Sequence, residues 1–317
     1  MRCAARPARL GALLSAVTLG LAPLCASAAL RVVVIEGLGG QADYTQEFDT
    51  EARALAAAAR HITASGDVRR LAGPQATRTA VLSYFHRIGG AMSREDRLIV
   101  YLIGHGSFDG RQYKFNIPGP DLTDRDLATM LDALPAQRQL IVATGSASGA
   151  LLAPLRNPGR ILICGTRNGA ERNVTHFAAA FTAALTAPAA DLNKDGTISA
   201  AEAFAYATRR VQDYFKHQAL LASEHAVLQG NGADLFMLSH LGGAAADRPR
   251  AVSAAGPATA LARRRDELNA RIRALEQRKS ALAPAQYAAQ LDPLLLELAE
   301  LQERIDQRSD AQARHGH

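Results

Sequence analysis

Apolar residues along this chain fall into two kinds of pattern. Runs at 30–35, 96–103, 138–143 and 160–164 are apolar almost throughout and rich in valine, isoleucine and leucine. Such runs predict strands buried on both faces, and Asp67-Val68-Arg69-Arg70-Leu71 adds a shorter one. Between the runs the apolar positions take helical spacing. Phe48, Ala52, Leu55, Ala59 and Ile62 line one face of 44–64, and Val81, Leu82, Phe85 and Ile88 line one face of 76–92. Thr123 and Asp126 supply a capping box for a helix over 123–134, which stops before Pro135. Alternating strands and helices of this kind predict an α/β fold, a mostly parallel sheet flanked by helices. The glycine- and proline-rich stretch 107–121, with Tyr113, Phe115 and Ile117 alternating, predicts a small hairpin over the strand ends.

Both ends of the chain follow other rules. Arg2, Arg6 and Arg9 precede an apolar stretch from Leu10 to Leu24, and Ala26-Ser27-Ala28 follows it. That order predicts a signal peptide over 1–28, cleaved near Ala28, and so a periplasmic or secreted bacterial protein with no membrane span after cleavage. Residues 29–241 hold the α/β domain. Small residues, charges and Pro249 mark 242–257 as a linker. Over 258–308, Leu261, Leu268, Ile272, Leu275 and Leu282 form one stripe, and Tyr287, Leu291, Leu294, Leu298, Leu301 and Ile305 a second. Ala283-Pro284 between the stripes predicts a helical hairpin of coiled-coil character, suited to self-association or to capping a cleft. Residues 309–317 read as a disordered tail.

Composition narrows the partners. Cleavage removes Arg2, Arg6 and Arg9, so the formal charge of +6 falls to about +3. The chain has no tryptophan, and a weakly positive chain without stacking platforms does not point to nucleic acid. Cys3 and Cys25 leave with the signal peptide, so Cys164 remains alone and no intramolecular disulfide can form.

Candidate chemistry gathers where strands end. Gly104-His105-Gly106 closes the third run, Thr144-Gly145-Ser146-Ala147-Ser148-Gly149 closes the fourth, and Cys164 ends the fifth. In a parallel sheet these ends share one edge, the usual ligand edge of such folds. A histidine beside a hydroxyl or thiol is a base–nucleophile arrangement, with His105 taking the proton from Ser146 or, one strand over, from Cys164. Backbone amides at Gly106 and Gly145 can hold an oxyanion. No acid is obviously placed to orient His105; Glu36 and Asp109 are the candidates. No organic cofactor is called for.

The segment Asp191-Leu192-Asn193-Lys194-Asp195-Gly196-Thr197-Ile198-Ser199-Ala200-Ala201-Glu202 has the spacing of an EF-hand calcium loop. Asp191, Asn193 and Asp195 offer side-chain oxygens, and Thr197 offers its carbonyl. Ser199 would act through water and Glu202 would bind with both oxygens. An outgoing helix over 200–218 is clear, whereas Pro188 stops the incoming one at 174–187. A structural Ca2+ fits this half-motif better than a paired sensor does.

Together, Gly104-His105-Gly106, the hairpin and the next strand's turn ending in Ser148-Gly149 resemble the caspase–legumain group of cysteine peptidases, in particular the bacterial exported, peptidase C13-like set. The resemblance spans roughly 30–240. It implies that His105 is the catalytic histidine and that the nucleophilic cysteine belongs at position 146, where this chain has serine; Thr144 replaces the usual acid. Three readings follow: a pseudopeptidase whose strand-end cleft binds a peptide or protein, a hydrolase using a Ser146–His105 dyad, or a peptidase recruiting Cys164. Outside the group's chemistry, a calcium-stabilised interaction scaffold that binds a partner through its hairpin is a further reading. Legumain-like zymogens also imply that a helical C-terminal segment can cap the cleft.

Overall fold

Strands that are apolar on both sides need helices on both sides, and the chain provides them. In a computed structural model, residues 28–63, 67–241 and 282–314 are described, together with Arg264, Leu268, Arg271, Ile272 and Leu275. The chain runs β1 (Leu30–Glu36), α1 (Ala42–Ile62), β2 (Asp67–Leu71), α2 (Arg78–Gly89) and β3 (Arg97–Ile103). A small sheet of β4 (Gly106–Phe108), β5 (Tyr113–Phe115) and β6 (Leu122–Thr123) follows, then α3 (Asp124–Asp132), β7 (Arg138–Ala143), β8 (Arg160–Cys164) and α4 (Phe177–Ala184). Beyond them come β9 (Thr197–Ser199), α5 (Ala200–His217), β10 (Val227–Gln229), β11 (Met237–His240) and α6 (Pro284–Arg314).

Six strands form the main sheet in the order β10-β8-β7-β3-β1-β2. Five of them run parallel and β10 runs antiparallel along β8. Alternate residues of each strand feed two cores. Val32, Ile99, Tyr101, Val142 and Ile163 face Phe48, Leu55, Phe177 and Phe181 on the side of α1, α4 and α5. On the other side Val33, Val100, Leu102, Ile141 and Cys164 face Val81, Phe85, Leu127 and Leu131. The result is a mixed α/β domain with a mostly parallel sheet between two helical layers.

Register aligns the edge that matters. Leu102 lies opposite Ala143, and Ala143 opposite Cys164, so β3, β7 and β8 end together. Thr123 caps α3 through the expected capping box with Asp126. Arg160, with its side chain 2% exposed, ties the opposite end of β8 to Gln139, to the Leu155 carbonyl and to Asp132 (2.8 Å).

Several elements differ from what the sequence pattern predicts. The expected hairpin over 107–121 gains a third strand, β6, because Leu122 pairs with Phe115. After β7, where Leu151, Leu152 and Leu155 predict a short helix, the chain makes only a 3-10 turn, Ser148–Leu151. Asp292-Pro293 predicts a kink or restart of the second arm, yet α6 is one continuous helix with Pro293 inside it. The helix also runs through 309–314, where a disordered tail was expected. Leu294 and Leu301 of α6 pack with Leu268, Ile272 and Leu275, and Arg264 pairs with Glu297 at 2.7 Å, so the two apolar stripes do meet. The expected signal peptide, except Ala28, and the 242–257 linker lie outside the described residues. No described helix is long and apolar enough to cross a membrane.

Candidate active site

Glycines set how closely the ends of β3 and β7 approach. A Cβ on Gly145 would stand 2.0 Å from the Gly104 carbonyl oxygen and 3.5 Å from the Gly106 nitrogen. A Cβ on Gly106 would stand 2.6 Å from the Ser146 carbonyl oxygen and 2.3 Å from the Tyr113 hydroxyl. Only glycine lets the two turns touch, backbone to backbone. Gly104 itself has φ +152°, a conformation in which side chains are rare. His105 and Ser146 are thereby carried on turns in direct contact.

Beyond Gly145 the turn is strained and bolted down. Ala147 has φ 57° and ψ 7°, the left-handed region that alanine rarely adopts. Its amide donates to the Glu171 carbonyl at 2.8 Å, and the Ser148 amide donates to the Gly145 carbonyl at 3.3 Å. Thr166 accepts from the Gly149 amide at 2.8 Å and lies 3.3 Å, hydroxyl to hydroxyl, from Ser148. Thr175 donates its hydroxyl to the Thr144 carbonyl at 2.6 Å. Thr144, where the resemblance expects an acid, is buried, and its hydroxyl donates to the Leu102 carbonyl at 3.3 Å.

The sequence-predicted site residues fall into two groups. His105 is half-buried, and its ring meets Tyr44 and Phe48 of α1 edge-on at 5.1 and 5.0 Å between centroids. Ser146 is buried. Among the described residues neither the His105 ring nor the Ser146 hydroxyl has a hydrogen-bond partner, and the two are not hydrogen-bonded to each other. Glu36 is engaged with Arg70 (2.9 Å to Nε), and Asp109 accepts the Arg111 and Gln112 amides, so neither orients His105.

Cys164 lies on the other side of the sheet. It is buried in the core beneath α2 and α3, and burial pushes its thiol up to about 12. A thiol held protonated in an apolar core is a poor nucleophile at neutral pH. It shares an edge with His105 but not a face.

Three groups at this edge escaped sequence reasoning. His225 Nδ1 lies 2.7 Å from Glu171 Oε1, and the His225 and Arg167 amides donate to Glu171 Oε2 at 3.0 and 2.8 Å. Burial alone would raise the Glu171 carboxyl, yet these hydrogen bonds outweigh it and hold it below the usual range. Next to them Glu224, itself buried, accepts the His176 and Phe177 amides at 2.8 and 3.2 Å and so caps α4. That cap explains why α4 begins at Phe177, later than the apolar pattern suggests. The contacts join residues 47 to 54 positions apart, a separation that no local pattern encodes.

Glu224 carries a pH prediction. Burial outweighs its two amide hydrogen bonds and pushes the carboxyl up to about 7 from an ordinary 4.5. Between those values the folded chain keeps a proton that the unfolded chain has released. Stability therefore falls as pH rises through that window. Glu224→Gln is expected to flatten the fall. Melting temperatures of both proteins from pH 4 to pH 8 measure it, and equal slopes would remove Glu224 as the source.

The calcium-type loop is folded around its own acids. Asp191 accepts the Asp195 amide at 3.1 Å and the Gly196 amide at 3.0 Å, and Gly196 makes the sharp turn at φ +79°. Asn193 accepts the Asp195 amide at 2.9 Å, and Asp195 accepts the Thr197 amide and hydroxyl. Glu202 reaches back to the Leu192 and Asn193 amides with one oxygen and to Ser199 with the other, completing a capping box at α5. Among the described residues no three His, Cys, Asp or Glu side chains group as a metal cage.

No protein-family model matches the sequence, and comparison with curated proteins gives no match. Among solved structures the chain is similar to protein GSU0716 from Geobacter sulfurreducens, with a TM-score of 0.44 and 14% identity, over 67% of this chain and 99% of that one.

Proposed function

We propose that this chain is an exported homologue of the caspase–legumain group that keeps the strand-end cleft and has lost the peptidase nucleophile. It binds a peptide or protein segment at the edge built by His105, Gly106, Gly145 and Ser146 and does not cleave it. The observation that carries this reading is the contact of two neighbouring parallel strand ends, with serine where the resemblance requires cysteine. A serine hydroxyl is hardly ionised at neutral pH and needs an oriented base. The lack of any carboxylate on the His105 ring among the described residues favours the binding role over a Ser146–His105 dyad. A fluorogenic peptide library incubated with the mature protein is expected to show no turnover. Turnover that disappears on Ser146→Ala would establish the dyad instead.

Calcium belongs to the same proposal, in a structural role. Side-chain oxygens of Asp191, Asn193, Asp195 and Glu202, with the Thr197 carbonyl and a Ser199-held water, are the donors that would hold Ca2+. Hard oxygen donors with three carboxylates suit that ion. Each carboxylate accepts amide hydrogens in the loop and still has lone pairs to offer. Since α5 starts from this loop, the ion would fasten the start of a helix that packs against α4. Millimolar calcium is expected to raise the melting temperature by about 5 °C over chelator. Asp191→Asn combined with Asp195→Asn should abolish the difference. Equal melting temperatures with calcium and with chelator in the unsubstituted protein would rule the ion out.

The 258–308 hairpin is the element that would cap the cleft or pair with a second copy. Its leucine stripes pack on each other within one chain, which leaves its charged faces for such contacts.

A further inference from the structure

A second recess runs along the length of α1, beside α4 and β11. Its volume is about 880 Å³, within the range of small-molecule sites. α1, α4 and the β11 edge enclose it, and Ala54, Ala57, Ala58, Ala179 and Ala183 make much of its wall small and apolar. Glu51 lines it too. That side chain is only 5% exposed, and neither carboxylate oxygen has a hydrogen-bond partner; the buried Thr182 hydroxyl oxygen also lacks one. Unpartnered buried carboxylates are rare because their desolvation is uncompensated.

We propose that this groove binds an alkylammonium group, with the apolar stem against the alanines and the charge on Glu51. Asp43 and Glu47 on the same side of α1 make the entrance acidic, which draws cations and repels anions. Thr182 can accept a second N–H from the same ammonium. The other titratable groups lining the groove are His61 on α1 and His240 on β11, and α4 contributes none. An empty groove leaves Glu51 protonated, because burial and the Glu47 charge push its carboxyl up to about 8. The incoming cation takes the place of that proton, so binding near pH 7 releases about one proton from Glu51 to the buffer.

Titration calorimetry of the whole mature chain at pH 7, in two buffers of different ionisation enthalpy, reads affinity and proton release together. Hexylamine and a blocked lysine peptide are the two probes, and they separate a free amine from a lysine side chain as the source of the group. Binding of either probe with release of about one proton is the expected result. Glu51→Gln should weaken it at least about tenfold and remove the proton release, and Thr182→Val should weaken it several-fold. The glutamine variant keeps the shape of the protonated acid, and an unchanged melting temperature at pH 5 confirms that it folds. Failure of both probes to bind, or binding that Glu51→Gln leaves unchanged, would overturn the proposal. Neither result bears on the Ser146 cleft.

Discussion

Ser146→Cys is expected to create a reactive thiolate at the end of β7. Cysteine is acidic enough for a neighbouring histidine to draw its proton near neutral pH, whereas serine is not. The turns that carry His105 and residue 146 are locked together through Gly104 and Gly145, so the new thiol arrives on a backbone already set beside the base. Its alkylation by iodoacetamide at pH 7 should run about tenfold or more faster in Ser146→Cys than in Ser146→Cys combined with His105→Ala. Cys164 supplies an internal control. It stays unmodified while the fold persists, because it sits in the apolar core with no base beside it among the described residues and its thiol is pushed up to about 12. Equal rates with and without His105 would mean that the histidine is not a base for position 146.

Gly145→Ala is the second large effect. The added methyl would stand 2.0 Å from the Gly104 carbonyl oxygen, a backbone atom that cannot rotate aside. Relief requires moving β3 from β7 at their shared end, where the Thr144 amide donates to the Leu102 carbonyl at 3.2 Å. Overpacking of this kind, with loss of ladder hydrogen bonds, costs about 3 kcal/mol. Gly110→Ala is the matched comparison: no neighbour crowds a Cβ there, and only its φ of +97° adds strain. Denaturant unfolding should give a clearly larger loss for Gly145→Ala. Equal losses would show that the contact between the turns is not tight.

The parts of the fold that were legible are those whose physics is local. Parallel strands covered on both faces must be apolar throughout, so β1, β3, β7 and β8 stand out. Elements held by partners far along the chain do not. β10 has three residues, all only partly buried, and is a strand because Val227 meets Cys164 across 63 positions. β9 and β11, of three and four residues, pair with one another. At the site, the approach of His105 to the Ser146 turn was readable because neighbouring parallel strands must end on one edge. The face was not read with the edge. Ile163 points to the α1 side and Cys164 to the α2 side, as strand alternation requires. The Glu171–His225 pair, the Glu224 cap and the buried Glu51 exist only through tertiary packing, and no spacing in the sequence announces them.

Fluorophosphonate labelling of the mature, unsubstituted protein tests the loss of the nucleophile most directly, because the probe reacts only with an activated hydroxyl and needs no knowledge of substrate. Intact mass measured with calcium present is predicted to be unchanged. A single adduct on Ser146, absent in Ser146→Ala and in His105→Ala, would contradict the loss of the nucleophile and make the chain a serine hydrolase.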